Sequence, residues 1–531
     1  MAHRFDRMIR VSDSVELAVR VHLPPGEGPF PTLFATSPYR FDNDDVPDTK
    51  MFLWRETGPI HWYVGQGYAY VRLDVRGTGR SGGDYQFYGP RERRDYYEVI
   101  EWIAAQPWST GKVGGIGESY FGTAQWCMAA EKPPHLACIA PYDGHIDVYN
   151  GWAYPGGIPS DFMSIWWNNN VRPINRSPFA GPSRQIPYDL SYDIGLHPTF
   201  DAWWAERVVA PLLPSVDIPV FSIGVWAKID LHLGGNILGW RAVRGPKWLL
   251  VTGAPNAFEA CAEFEAVPFH RDVVAPFYDR FLKGIDNGFE RRAPVQVFVR
   301  GAQRLEDHTA WPPEGVREAA FHLRAGAAGQ VKSLNDGCLD TAPPTETGAT
   351  AYDYPRPEWA IGVTKLDVEG PDPLAEILTF TTPPLDVPIS VRGPCEFVVY
   401  LSSTRSDTDI IVRVTHVPPP ATGQRPALVT KGWLRASHRA LDANLSGPRE
   451  PILSHKLIEP LPIGETVELR VPLMHAAYDI AQGSRLRIEV ANGDSLVTDP
   501  LFSHTYTPDK VGRDTLHHAP GYPSRLLLSV L

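Results

Sequence analysis

No stretch of this chain approaches the ~18 consecutive apolar residues of a membrane-spanning helix. The opening Met1-Ala2-His3-Arg4-Phe5-Asp6-Arg7 has no apolar core of a secretory signal. Cysteine is scarce: five residues, an odd number at irregular positions, which excludes a disulfide framework and any CxxC metal pair. Basic charge is short as well. Fifty Lys and Arg against 61 Asp and Glu leave a net charge of −11, so the dense cationic footprint that a nucleic acid requires is missing. HExxH, a P-loop and a GxGxxG after a first strand are all absent, so neither a metal nor an organic cofactor is implied. A cytoplasmic protein with a small-molecule partner is expected, and no nucleic-acid or membrane partner.

What is present is length and alternation. At 531 residues the chain exceeds the roughly 250–300 residues at which one core stops growing. Thr32 to Thr36, Tyr68 to Leu73, Val113 to Gly117 and Leu136 to Ala140 read as short buried strands. Helical patterns separate them, from Asp95 to Gln106 and from Tyr120 onward. Such alternation predicts an α/β fold, a parallel sheet covered by helices on both faces. The pattern breaks over 146–214, a stretch rich in Trp, Pro and Asn that reads as a helical cap, and resumes at Ile218–Ile223 and Lys247–Val251. After about residue 292, strands such as Val295–Val299, Phe397–Leu401 and Leu486–Val490 follow one another without long helices, the pattern of a β-sandwich. The expected division is thus 1–145 with 215–291, a cap at 146–214, and a sandwich at 292–531. Arg91, Arg93 and Arg94, alternating with Glu92 and Asp95, read as a solvated helix start. Sixteen tryptophans and 21 tyrosines serve mainly packing, with Trp166-Trp167 and Trp203-Trp204 suited to line an apolar pocket.

One motif carries chemistry. Gly117-Glu118-Ser119-Tyr120-Phe121-Gly122 follows a buried strand and opens an apolar helix, as a nucleophile elbow does, with one extra residue before the final glycine. The elbow holds a serine on a strained turn that exposes its hydroxyl. The Tyr120 amide, at the helix N-terminus, would then face a developing oxyanion.

Further segments carry a resemblance to the family of cocaine esterase and the X-Pro dipeptidyl-peptidases. Besides the elbow these are Ser37-Pro38-Tyr39, the run Asp74-Val75-Arg76-Gly77-Thr78-Gly79-Arg80-Ser81-Gly82-Gly83, the helix Phe277 to Gly284, and Thr430 to Arg439 with Gly483 to Ile488. The resemblance implies an α/β-hydrolase domain followed by a C-terminal jelly roll. It also implies a tyrosine hydroxyl at Tyr39 completing the oxyanion hole, and a tendency to self-associate that leaves room for a homo-oligomer.

The chain departs from that family where the proton is moved. The family takes its acid from a Gly-Trp-Tyr-Asp segment, which corresponds here to Gly224-Val225-Trp226-Ala227-Lys228-Ile229-Asp230; ungapped, the acid falls on Lys228, and with two inserted residues on Asp230. Its histidine comes from a Gly-Pro-Trp-x-His segment, and that position falls on Ala257. No histidine stands between His232 and His270. A serine needs a base, so a relocated one is expected. His232 is preferred, with Asp230 as its acid; His145, His270, Glu259 and Glu118 are the alternatives.

Three functions compete at this stage. The first is a serine hydrolase that cleaves a carboxylic ester, amide or lactone through an acyl-enzyme on Ser119, with an apolar or aromatic substrate suited to the aromatic cap. The second is a non-hydrolytic enzyme (acyl transferase, isomerase or lyase) on the same fold. The third is a binding protein with a dead site.

Overall fold

The computed structural model describes residues 3–45, 55–176, 186, 188–354, 366–367, 370–371, 374–493 and 508–531. Part of the expected cap, 177–185 and 187, thus lies outside the described residues.

Ten strands form the first sheet: β1 (His3–Arg10), β2 (Glu16–Leu23), β3 (Phe30–Ser37), β4 (Ala69–Asp74), β5 (Ser109–Gly115), β6 (Leu136–Ile139), β7 (Val220–Val225), β8 (Lys247–Thr252), β9 (Val295–Val299) and β10 (Arg304–His308). Their order is β1-β2-β4-β3-β5-β6-β7-β8-β9-β10. From β4 to β9 every pairing is parallel, while β1, β2 and β10 pair antiparallel at the two edges. β4 and β7 are buried without a break, as strands covered on both faces must be.

β9, which lies inside the expected sandwich span of 292–531, joins the first sheet. Val295–Val299 was expected in the sandwich, yet it pairs in parallel with β8, Leu249 beside Val295 and Val251 beside Val297. Val295, Val297 and Val299 bury their alternate face against Trp226, Leu249 and Val251. Period-two alternation identifies a strand without naming its neighbour, so the sheet runs on through β10.

Three helices pack on the parallel strands: α1 (Ile60–Gly65), α2 (Pro90–Ala104) and α3 (Tyr120–Glu131). α2 starts five residues before the expected Asp95 because Gly89 caps it and Pro90 opens it, the first-turn place where a missing N–H costs nothing. Its first turn is not solvated as expected. Glu92 is fully buried and accepts hydrogen bonds from the hydroxyls of Tyr96 and of Tyr120, the latter at 2.7 Å. The carboxylate thereby fastens α2 to the first residue of α3.

The described part of the cap is helical: Asp161–Trp166, Trp167–Val171, Arg172–Arg176, Leu190–Leu196 and Ala202–Ala205. The sandwich closes on itself, since Arg525–Val530 pairs with both Arg317–Ala327 and Ile389–Ser403, which removes exposed edges from its main ring. A separate apolar core fills it, built on Phe380, Phe397, Val399, Val412, Leu469 and Ile488. Among the described residues no helix is long and apolar enough to cross a membrane.

Cap and sandwich pack closely where Gly156 lies under the chain at Trp433. A Cβ at Gly156 would stand 2.1 Å from the Trp433 carbonyl oxygen, and its φ of +60° already disfavours a side chain. Gly156→Ala is expected to cost about 1–3 kcal/mol through overpacking against backbone. The check is a lower urea midpoint at unchanged m-value.

Candidate active site

The elbow is where the sequence places it. β5 runs into Gly117-Glu118, the chain turns at Ser119, and α3 leaves. Ser119 has φ 61° and ψ −113°, a conformation that costs a non-glycine residue about 1–3 kcal/mol and persists only where its surroundings enforce it. The enforcement is visible. The Ser119 amide donates to the Tyr142 carbonyl at 3.1 Å, and its carbonyl accepts the Thr123 amide at 2.9 Å. Gly122 lets α3 sit directly on the chain after β6, for a Cβ there would lie 2.5 Å from the Tyr142 oxygen and 3.0 Å from the Gly144 Cα. That approach accounts for the glycine one residue later than in the shorter elbow. Ser119 is partly exposed between buried Glu118 and buried Tyr120, and its hydroxyl has no hydrogen-bond partner among the described residues.

Two donors stand beside it. Tyr120 is the first residue of α3, and its amide has no acceptor among the described residues, as expected for the first N–H of a helix. Tyr39 follows β3; its ring meets those of Tyr120 and Phe121 edge-on at 6.1 and 6.0 Å. The Trp166 Nε1–H donates to the Tyr39 hydroxyl at 2.8 Å. An indole nitrogen is only a donor, so the phenol oxygen accepts there and keeps its own proton to give. Burial first, and then the charge of Glu56, holds the Tyr39 pKa far above 10 against the opposing pull of the Trp166 bond. The phenol therefore stays a neutral donor. Trp166 belongs to the pair that the sequence marked as suited to line a pocket; it also stacks on Tyr120 at 6.0 Å.

The loop after β7 separates the two residues expected to act together. Ile229–Leu233 forms a π-turn, and helical residues two apart do not face each other. Asp230 points to the sandwich and pairs with Lys431 at 2.7 Å, both side chains buried. It makes no hydrogen bond to His232, so the expected Asp230–His232 couple is replaced by a bond between domains. His232 is buried with its ring edge-on to Trp152 at 5.8 Å, and its Nδ1 has no hydrogen-bond partner among the described residues. Burial, followed by the charges of Lys228 and His145, sets its pKa well below 6.5.

The other candidates are committed elsewhere. His145 Nδ1 accepts the Asp147 amide at 3.0 Å, which leaves the proton of the neutral ring on Nε2. His270 bonds to the Phe264 carbonyl through Nε2 and to the Tyr63 hydroxyl through Nδ1. Ala257 opens a helix (Ala257–Glu265) capped by Asn256. Glu259 is exposed and accepts from the Asn256 side chain at 3.0 Å. Among these three histidines, only His232 has a ring nitrogen with a lone pair that nothing occupies.

Sequence reasoning left one cluster unassembled. Lys228 Nζ contacts Glu118 Oε1 and lies 3.1 Å from Asp143 Oδ2, with all three side chains nearly inaccessible. Cys261 Sγ lies 3.3 Å from the same Glu118 oxygen. Burial raises the Asp143 pKa to about 7 in spite of Lys228. The available signal was the oddity of Glu118 beside a nucleophile and of Lys228 at an acid's position; nothing local marked Asp143.

The chain is similar to known proteins across both domains. Residues 13–254 match the family described as X-Pro dipeptidyl-peptidase (S15 family), and 287–527 match the X-Pro dipeptidyl-peptidase C-terminal non-catalytic domain. Cocaine esterase from Rhodococcus sp. (strain MB1 Bresler) is 26% identical, with 99% of this chain and 98% of that protein aligned. A CocE/NonD family hydrolase from Staphylococcus aureus superposes with a TM-score of 0.83 at 22% identity, covering 100% of this chain and 94% of that one. An α-amino acid ester hydrolase superposes at 0.76 and 19% identity, covering 100% and 97%.

Tyr39→Phe removes one of the two donors and is expected to lower turnover of a p-nitrophenyl ester by a factor of order 10²–10³. Trp166→Phe leaves the Tyr39 hydroxyl in place without its fixed partner and is expected to cost distinctly less. Steady-state kinetics on the two variants ranks them, and equal losses would deny Tyr39 its separate role.

Proposed function

The chain belongs to the X-Pro dipeptidyl-peptidase (S15) family, and we propose that it hydrolyses its substrate through an acyl-enzyme on Ser119, with His232 as the proton acceptor. It is a hydrolase of ester or amide bonds. The observation that carries the mechanism is the partly exposed, unbonded Ser119 hydroxyl on its strained turn, beside a phenol and an amide that both have a proton to give.

In the reaction Ser119 Oγ bonds to the carbonyl carbon while its proton passes to His232. The carbonyl electron pair moves onto oxygen, where the Tyr39 hydroxyl and the Tyr120 amide receive the charge. Each such donor contributes about 2.7–4 kcal/mol to the transition state. Collapse breaks the bond to the leaving group, which takes the proton from His232. A water then repeats the sequence on the acyl-enzyme, releasing the acid and restoring Ser119.

The substrate follows from the base. Among the described residues no carboxylate hydrogen-bonds His232, and Lys228 disfavours the imidazolium, so steps that demand least proton transfer proceed best. Esters with acidic alcohols or phenols are therefore preferred to amides, whose amine must be protonated before the C–N bond breaks. The rings of Tyr88, Trp152, Phe162 and Trp166 around the elbow suit an apolar or aromatic group. None of the five cysteines is paired, in keeping with a cytoplasmic location.

A fluorophosphonate probe labels only an activated serine. The protein should be labelled, and Ser119→Ala should lose both labelling and turnover. His232→Gln should lose nearly as much, because members of one catalytic unit fail together; near-normal turnover in that variant would remove His232 from the mechanism. The sign of the pH effect follows from the pKa. A base held well below 6.5 stays neutral as pH falls, so the acid limb of kcat/KM should lie below that value. A limb at or above 6.5 would point to another base.

A further inference from the structure

We propose that Lys228 is a positioning residue whose ammonium clamps together the two chain segments that hold Ser119 in its reactive conformation. The proposal rests on the reading of Ser119 as nucleophile.

Both carboxylates paired with the ammonium fall on those segments. Glu118 immediately precedes the nucleophile. Asp143 immediately follows Tyr142, whose carbonyl accepts the Ser119 amide. Glu118 and Tyr142 also bridge as parallel neighbours, as do Tyr142 and Ile223 in β7. Both Ser119 and Asp143 are non-glycine residues at positive φ, 61° and 48°. Lys228, at the end of the turn that follows β7, therefore ties three adjacent strand ends at two strained positions. With side-chain exposures of 6% for Lys228 and 0% for each carboxylate, water cannot substitute for the lysine. At the position where the family resemblance calls for a carboxylate, this chain has a cation, and the partners are correspondingly acidic.

The surroundings match a clamp. Cys261 and Glu263 face the cluster from the helix Ala257–Glu265, Glu56 and Glu265 act on it at longer range, and Tyr142 lies beside it. Lys228 offsets that excess of negative charge. His232, flanked by Lys228 and His145, is held neutral in part by the same ammonium. One lysine thus fixes the geometry of the nucleophile and bears on the protonation of its base.

The test uses the full chain with Lys228→Met and Lys228→Arg, measuring the rate of fluorophosphonate labelling, kcat and KM on a p-nitrophenyl ester, and the pH dependence of kcat/KM. Lys228→Met is expected to lower labelling and kcat by about 10²-fold, the scale of a small misplacement of reacting groups, with KM changed little. The acid limb should move upward, because a positive charge near His232 is gone, and Lys228→Arg should restore much of the rate and the original limb. Where Lys228→Met fails to fold, the double variant K228M/E118Q, which removes both members of the contact, takes its place with the same expectations. A folded Met variant with wild-type labelling and an unmoved limb overturns the clamp while leaving the serine mechanism intact. Loss of stability with an unmoved limb reduces Lys228 to a structural ion pair and overturns it as well. Unchanged turnover in Ser119→Ala instead overturns the underlying reading, whatever Lys228 does.

Discussion

The hydrogen bond from the Ser119 amide to the Tyr142 carbonyl is the constraint from which the site is built. It holds the end of β5 against the chain leaving β6 at the point where Ser119 has a positive φ. α3 can start there only because Gly122 admits the backbone of Tyr142 and Gly144 at contact distance. A side chain at that position would push α3 outward, and the Tyr120 amide with it. Much of the stored strain is therefore offset by packing that has no catalytic function of its own.

The two donors beside Ser119 depend on the same arrangement at one remove. Tyr39 comes from β3, Trp166 from the cap and Tyr120 from α3, and their rings are mutually in contact. Glu92, buried in α2, receives the Tyr120 hydroxyl and so fixes one side of that cluster. Each member is placed by another aromatic ring or by a directional bond, which is how a site holds its geometry closely.

Charge in the interior is distributed by domain. Under the elbow, Lys228 joins three strand ends of one sheet. A few residues on, Asp230 reaches across to Lys431 and Arg300 donates to the Leu428 and Val429 carbonyls, fastening the sheet to the sandwich. Two acceptable readings of an acid's position in the sequence, Lys228 and Asp230, thus take up separate structural work on opposite sides of one turn. Breaking a buried pair of this kind leaves an uncompensated charge and costs more than the pair contributes, so both are built into the architecture.

Local pattern carried a large part of this protein. The alternation of buried strands and helices, the helical stretch after 146, the small residues around Ser119 and the absence of a histidine at Ala257 can all be read from neighbours in the chain, because backbone conformation and burial are set over a few residues. Membership and partnership could not be read that way. Val295–Val299 is equally a strand in either domain, and only the open edge of β8 decided which it joined. Asp230 finds its partner 201 residues away and Lys228 its contact with Glu118 110 residues away, separations over which sequence spacing holds no geometric information. A charge in a buried site is satisfied by whatever the folded strand ends bring within a few ångströms, and the tertiary structure alone determines which ends those are.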